Sequence, residues 1–83
     1  MTEEQVKQVN EISRLATKVN RKTKNKAIFV WEGDPEVFDY LSLTIEEKKE
    51  GGSFFFKYTG LLMPLDKLIK QSSEHLKRLL KDG

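Results

Sequence analysis

The fold of this chain is decided by residues 40–59, YLSLTIEEKKEGGSFFFKYT. Leu41, Leu43 and Ile45 alternate with polar side chains, and this period of two predicts a strand that is buried on one face. A glycine pair at 51–52 favours the positive φ angles of a tight hairpin turn. The aromatic run after it predicts a second, antiparallel strand. The hairpin therefore predicts a sheet that has one polar face.

A helix is the alternative interpretation of residues 36–50. Asp34 followed by Pro35 is a common helix start, and several apolar side chains of the segment would share one helix face. Leu43 would lie away from that face, however, whereas the strand pattern places it in the core. We therefore favour the strand and keep the helix as the alternative.

Amphipathic helices are predicted at both ends of the chain. Residues 3–21 and 64–80 place apolar side chains at spacings of three and four. Residues 27–31 form a short apolar run that is typical of a strand, and residues 33–35 predict a turn after it. The sequence therefore predicts an α+β fold of order α-β-β-β-α, a three-stranded antiparallel meander with two amphipathic helices packed on one face.

The length and composition limit the class of protein. The 83 residues correspond to one small domain, residues 1–83. The chain has no cysteine, which excludes disulfides and cysteine-based zinc sites. A net charge of +2 is too small to indicate nucleic-acid binding by itself. Without a membrane-spanning apolar run, a secretory signal or cysteines, we expect a cytoplasmic protein.

Side chains that could carry catalysis are few. His75 is the one histidine, and its neighbour Glu74 does not face it and so cannot orient it as a general base. Because His75 borders the apolar stripe of the last helix, we expect it at the surface or at the boundary. Lysines are interleaved with three carboxylates near the hairpin turn, which are Glu46, Glu47 and Glu50. These carboxylates lack the spacing of a cation-binding loop, so we expect a solvated hairpin end. We expect a non-enzymatic protein with no catalytic residue, no metal, no cofactor and no small-molecule substrate.

The two faces of the aromatic strand have different expected roles. Phe54, Phe56 and Tyr58 point to one side, and we expect this side to enter the core. Phe55 and Lys57 point to the opposite side, together with polar side chains of the preceding strand. This open sheet face is a candidate surface for docking a protein partner or a second copy of the chain. Its candidate residues are Ser42, Thr44, Phe55 and Lys57.

A basic stripe on the first helix is the second candidate surface. Its members recur at spacings near four and seven and continue past the helix end, and they could contact phosphates of RNA or DNA. They are Lys7, Arg14, Lys18, Arg21, Lys22, Lys24 and Lys26. We favour a binding or regulatory module that acts by protein binding or self-association through the open sheet face, with nucleic-acid binding as the alternative.

The predicted element order resembles that of two RNA-binding families, the double-stranded-RNA-binding domain and the Alu-binding proteins of the signal recognition particle. The former begins its last helix with a glycine-rich stretch and a Lys-Lys-Ala motif. Here the corresponding stretch is Leu62-Met63-Pro64-Leu65-Asp66. The resemblance covers the order of elements alone and implies no functional residue.

Overall fold

The fold is a three-stranded sheet with two helices, seen in a computed structural model that describes residues 2–31 and 41–82. The elements are α1 (Glu3–Lys22), β1 (Lys26–Trp31), β2 (Leu41–Lys49), β3 (Gly52–Thr59) and α2 (Leu65–Asp82). The strands form an antiparallel sheet in the order β1-β2-β3, and the two helices pack on each other and against it. This confirms the predicted α-β-β-β-α fold. The predicted turn at 33–35 lies outside the described residues.

Residues 41–49 form a strand and not a helix, so the favoured interpretation of this segment is confirmed. Leu41, Leu43 and Ile45 are at most 1% exposed and form the centre of the core. The helices contribute apolar stripes to the same core, and Ser72 of α2 is fully buried among them. No helix within residues 2–31 and 41–82 combines the length and the apolar character needed to cross a membrane.

Local signals in the sequence explain where α1 begins and where the hairpin turns. Thr2 and Gln5 form a capping box, in which the Thr2 Oγ1 accepts from the Gln5 N–H and the Gln5 Oε1 accepts from the Thr2 N–H. Gly51 has a φ of 90° and Gly52 a φ of 151°, which are accessible to glycine without strain. The hairpin register that follows places Phe56 opposite Ile45.

The expected burial of the aromatic strand is only partly correct. Phe54, Phe56 and Tyr58 do lie on the helix-facing side of the sheet, because they pair with the inward residues of β2. Phe54 nevertheless remains 53% exposed and Phe56 37% exposed. The reason is that α2 meets β3 at His75, which contacts the rings of Phe56 and Tyr58, so Phe54 lies beyond the helix layer.

Candidate binding surfaces

The outer edge of β1 is blocked at Ala27 by a side chain of α1. The Oδ1 of Asn20 accepts a hydrogen bond from the N–H of Ala27 at 2.7 Å. Its Nδ2 donates to the carbonyl of the same residue, also at 2.7 Å. The amide of Asn20 thus takes the place that a neighbouring strand would occupy, and it satisfies both backbone groups of a buried residue.

The outer edge of β3 is open among the described residues, where β2 is its only strand neighbour. The N–H of Gly60 donates to the carbonyl of Leu41 at 3.2 Å. In an antiparallel ladder, hydrogen-bonded and non-hydrogen-bonded pairs alternate. Even-numbered residues of β3 therefore direct their backbone groups towards β2, and the odd-numbered Phe55 and Lys57 direct theirs outward. These groups are free to pair with another strand.

Three exposed phenylalanines flank this open edge. Phe54, Phe55 and Phe56 are 53%, 69% and 37% exposed, and they project alternately from the two faces of the sheet. Edge strands of soluble proteins are usually protected by charges, proline, bulges or a covering segment. Lys57 supplies one such charge on β3, and the three exposed phenylalanines beside it are typical of an interaction surface.

The residues of the predicted open sheet face do come together. Thr44 pairs with Lys57, and Ser42 lies two positions along the same strand, so both project from the face opposite the helices. Phe55 lies opposite Glu46 on this face. Lys26, which we grouped with the helical stripe, also pairs with Glu46 and therefore belongs to the sheet face instead.

A buried polar cluster joins the hairpin to α2, and the expectation for its members was wrong. His75 is 7% exposed and Glu47 3% exposed, although we expected a boundary histidine and a solvated carboxylate. The Nε2 of His75 is hydrogen-bonded to Glu47, and its Nδ1 lies 2.7 Å from the hydroxyl of Tyr58. Glu47 continues the inward row of Ile45 along β2, and that period of two was the available signal.

Two cations complete the cluster around the buried carboxylate. The Nη2 of Arg78 lies 2.7 Å from Glu47, and the Nζ of Lys49 lies 3.4 Å from it. Burial alone would raise the pKa of Glu47, but His75, Arg78 and Lys49 together outweigh it and hold this pKa below the usual range. Burial raises the pKa of Tyr58. Glu47 is therefore ionised at neutral pH and fastens both strands of the hairpin to α2.

The residues of the basic stripe divide into several environments. Arg14 forms a two-point ion pair with Glu11, at 3.0 and 2.6 Å. Lys7 lies nearer the start of α1, apart from the other members. Three members of the stripe, at positions 21, 22 and 24, line a cleft of about 790 Å³ with three cations that the sequence did not connect to them. These six side chains are Arg21, Lys22, Lys24, Lys48, Lys49 and Arg78.

Comparisons with known proteins returned no match to a family model, to a curated protein or to a solved structure. Within the described ranges, no group of three or more histidine, cysteine, aspartate or glutamate side chains is arranged to hold a metal ion. Two surfaces of the described residues are therefore the candidates for function, the open edge of β3 and the basic cleft.

Proposed function

We propose that this chain is a binding module that assembles with a second copy of itself through the outer edge of β3. One observation carries the proposal. The edge of β3 presents outward backbone groups at Phe55 and Lys57 beside three exposed phenylalanines, whereas the β1 edge is blocked at Ala27 by Asn20. Pairing of two β3 strands extends the sheet and covers the exposed aromatic surface.

The sequence of β3 is complementary to itself in an antiparallel arrangement centred on Phe56. Each Phe55 then faces Lys57 of the second copy on the open face, and each Phe54 faces Tyr58 on the helix side. The outward backbone groups of Phe55 and Lys57 fall into hydrogen-bonded pairs in this register. Centring the pair on Lys57 would instead place two lysines opposite each other, which is unfavourable.

The size of the contact predicts a weak dimer. A phenylalanine contributes about 200 Å² of surface, so the three exposed rings offer roughly 300 Å² in each copy. Stable protein interfaces commonly bury about 800 Å² on each partner. The added strand pairing increases this area, but the interface stays small, and we expect the dimer to dissociate in the micromolar range of concentration.

Analytical ultracentrifugation over a concentration range of about 1 μM to 1 mM tests the proposal. The informative variant is Phe55→Lys, because the new charge faces Lys57 of the second copy across the strand pair. Phe55 is 69% exposed, so the substitution leaves the core intact. We expect the dissociation constant to rise by at least about tenfold.

Ile28→Lys is the matched control. Ile28 is 60% exposed, lies on the same open sheet face and belongs to the other edge strand, β1. Ile28→Lys adds the same charge as Phe55→Lys, and we expect its dimer to have the dissociation constant of the wild type. A wild-type chain that stays monomeric at the highest concentration contradicts the proposal. Equal weakening by Ile28→Lys and Phe55→Lys contradicts the assignment to β3.

A further inference from the structure

A second function is indicated by the basic cleft at the hairpin end, where the Nζ of Lys49 lies 5.4 Å from the centre of the Phe54 ring. The end of α1, the end of β2 and the last turns of α2 meet there around a volume of about 790 Å³. Its described lining holds an excess of four positive charges over the carboxylates Glu47 and Asp82. The cations are Arg21, Lys22, Lys24, Lys48, Lys49 and Arg78.

Hydrogen bonds hold the walls of the cleft in place. The side chain of Asn25 is buried, and its Oδ1 accepts from the backbone N–H of Lys48 at 2.9 Å. This bond ties the segment after α1 to the end of β2. Glu47 ties the same strand to α2 through Arg78. The backbone segments that carry the cations are therefore held in place before a ligand binds. This reduces the conformational entropy that is lost on binding.

The charge of the cleft is not balanced within the described residues. Lys49 and Arg78 share Glu47, whereas no described carboxylate lies within ion-pair distance of the other four cations. The ends of α1 and α2 each carry a partial negative charge of about one half, which offsets about one of the surplus positive charges. The remaining excess favours an external anion.

The basic surface extends beyond the cleft along α1. A second hollow of about 580 Å³ shares Arg21 and Lys22 with the cleft and adds Lys18 and Arg14, the latter paired with a glutamate of the same helix. Arg14 and Lys22 are eight residues apart, or about 12 Å along the helix axis. An elongated track suits a polymer with repeated charges, whereas one small anion would occupy only part of it. We infer that the cleft and this track bind the phosphate backbone of a nucleic acid.

Fluorescence anisotropy of labelled oligonucleotides tests this inference on the full chain. The probes are a duplex DNA, its single strand and a duplex RNA of the same length. If four cations engage phosphates, the logarithm of affinity for duplex DNA falls with the logarithm of salt concentration with a slope of about −3.5. The slope for the single strand is about −3. The probe that binds with the highest affinity identifies the type of nucleic acid. If none of the three probes binds at low salt, the inference is overturned.

Charge-reversal variants locate the contact. Lys24→Glu combined with Lys48→Glu changes two cations of the cleft, and we expect the affinity to fall at least about tenfold. Lys67→Glu combined with Lys70→Glu makes the same change of net charge on exposed positions of α2 outside the cleft. We expect this control to lose less than about threefold. Equal losses in both variants overturn the assignment to the cleft.

Competition with unlabelled poly-glutamate separates nucleic acid from an acidic protein. We expect duplex DNA to displace the labelled probe at a lower charge concentration than poly-glutamate does. The reverse order overturns the inference and identifies an acidic polypeptide as the ligand. The Phe55→Lys variant is expected to retain the wild-type anisotropy curve at concentrations below dimerisation, so failure of the proposed dimer and failure of the cleft are distinguishable.

Discussion

The two edges of the sheet differ in the partners of their outward backbone groups. At β1, the amide of Asn20 occupies both backbone groups of Ala27 and blocks strand pairing at that position. At β3, the described residues place no such group, and the outward backbone of Phe55 lies among exposed aromatic rings. The difference teaches that one side chain from a neighbouring helix can block strand pairing at one position of an edge. An edge left without one is available for binding.

The inner faces of the same two strands differ as well. Ala27 of β1 is buried in the apolar core, with Phe29 packed against it. β3 instead meets α2 through Tyr58 and the polar cluster around His75. A polar attachment requires fixed partners and covers little apolar surface. The helix layer therefore leaves Phe54 and Phe56 partly exposed beside the open edge.

Removal of the carboxylate at the centre of the polar cluster is expected to have the largest effect. Glu47→Ala leaves the buried His75 and the guanidinium of Arg78 without their acceptor. We expect the free energy of unfolding in urea to fall by about 3–5 kcal/mol. The control is Glu46→Ala, which removes a half-buried carboxylate from the open face of the same strand. Equal effects of the two variants would contradict the structural role of the cluster.

Acid is expected to weaken the same attachment. The pKa of Glu47 is lowered in the folded protein, so the unfolded chain binds its proton more readily. The stabilisation is complete at neutral pH, and it is lost as the pH falls below the ordinary range of a glutamate and through the lowered pKa. We expect urea unfolding at a series of pH values to show a decline that is reduced in Glu47→Gln. An identical decline in this variant would contradict the assignment.

Unblocking the β1 edge at Ala27 is expected to have a smaller effect on stability. Asn20→Ala removes two hydrogen bonds from the backbone of the buried Ala27, and we expect unfolding to become easier by about 1–3 kcal/mol. Asn10→Ala removes an exposed asparagine from the same helix and serves as the control, with a change below about 0.5 kcal/mol. If both variants unfold at the same urea concentration as the wild type, the amide does not block the β1 edge.

A charge exchange tests the proposed register of the β3 strand pair, and we expect its effect on the dissociation constant to be the smallest. Combining Phe55→Lys with Lys57→Glu places opposite charges across the proposed strand pair, at two symmetric positions. Each such pair contributes about 0.2–1 kcal/mol, so the dimer should be tighter than in Phe55→Lys alone by about fivefold. Ultracentrifugation measures both constants. No recovery in the double variant would exclude the register centred on Phe56.

The sequence predicts the fold because its local signals agree. The period of two from Leu41 to Ile45, the glycine pair and the helical stripes each specify one element, and the structure contains all of them. The candidate sites depend on contacts distant in sequence, which local periodicity does not report. Glu47 and Arg78 are 31 residues apart, and the pairing of Lys48 with Asn25 spans 23 residues. For the buried cluster, extending the inward row to Glu47 was the one signal present in the sequence, whereas local spacing did predict the basic stripe and the outward Phe55.

Oxidative cross-linking of single-cysteine variants tests the central claim most directly, because the natural chain contains no cysteine. In the proposed register, Phe56 faces its own copy in a non-hydrogen-bonded pair with Cα atoms about 4.5 Å apart, which a disulfide can bridge. We predict that Phe56→Cys forms a covalent dimer faster than Phe55→Cys and Ile28→Cys. Faster cross-linking of Phe55→Cys, or equal rates for all three variants, would contradict β3 pairing centred on Phe56.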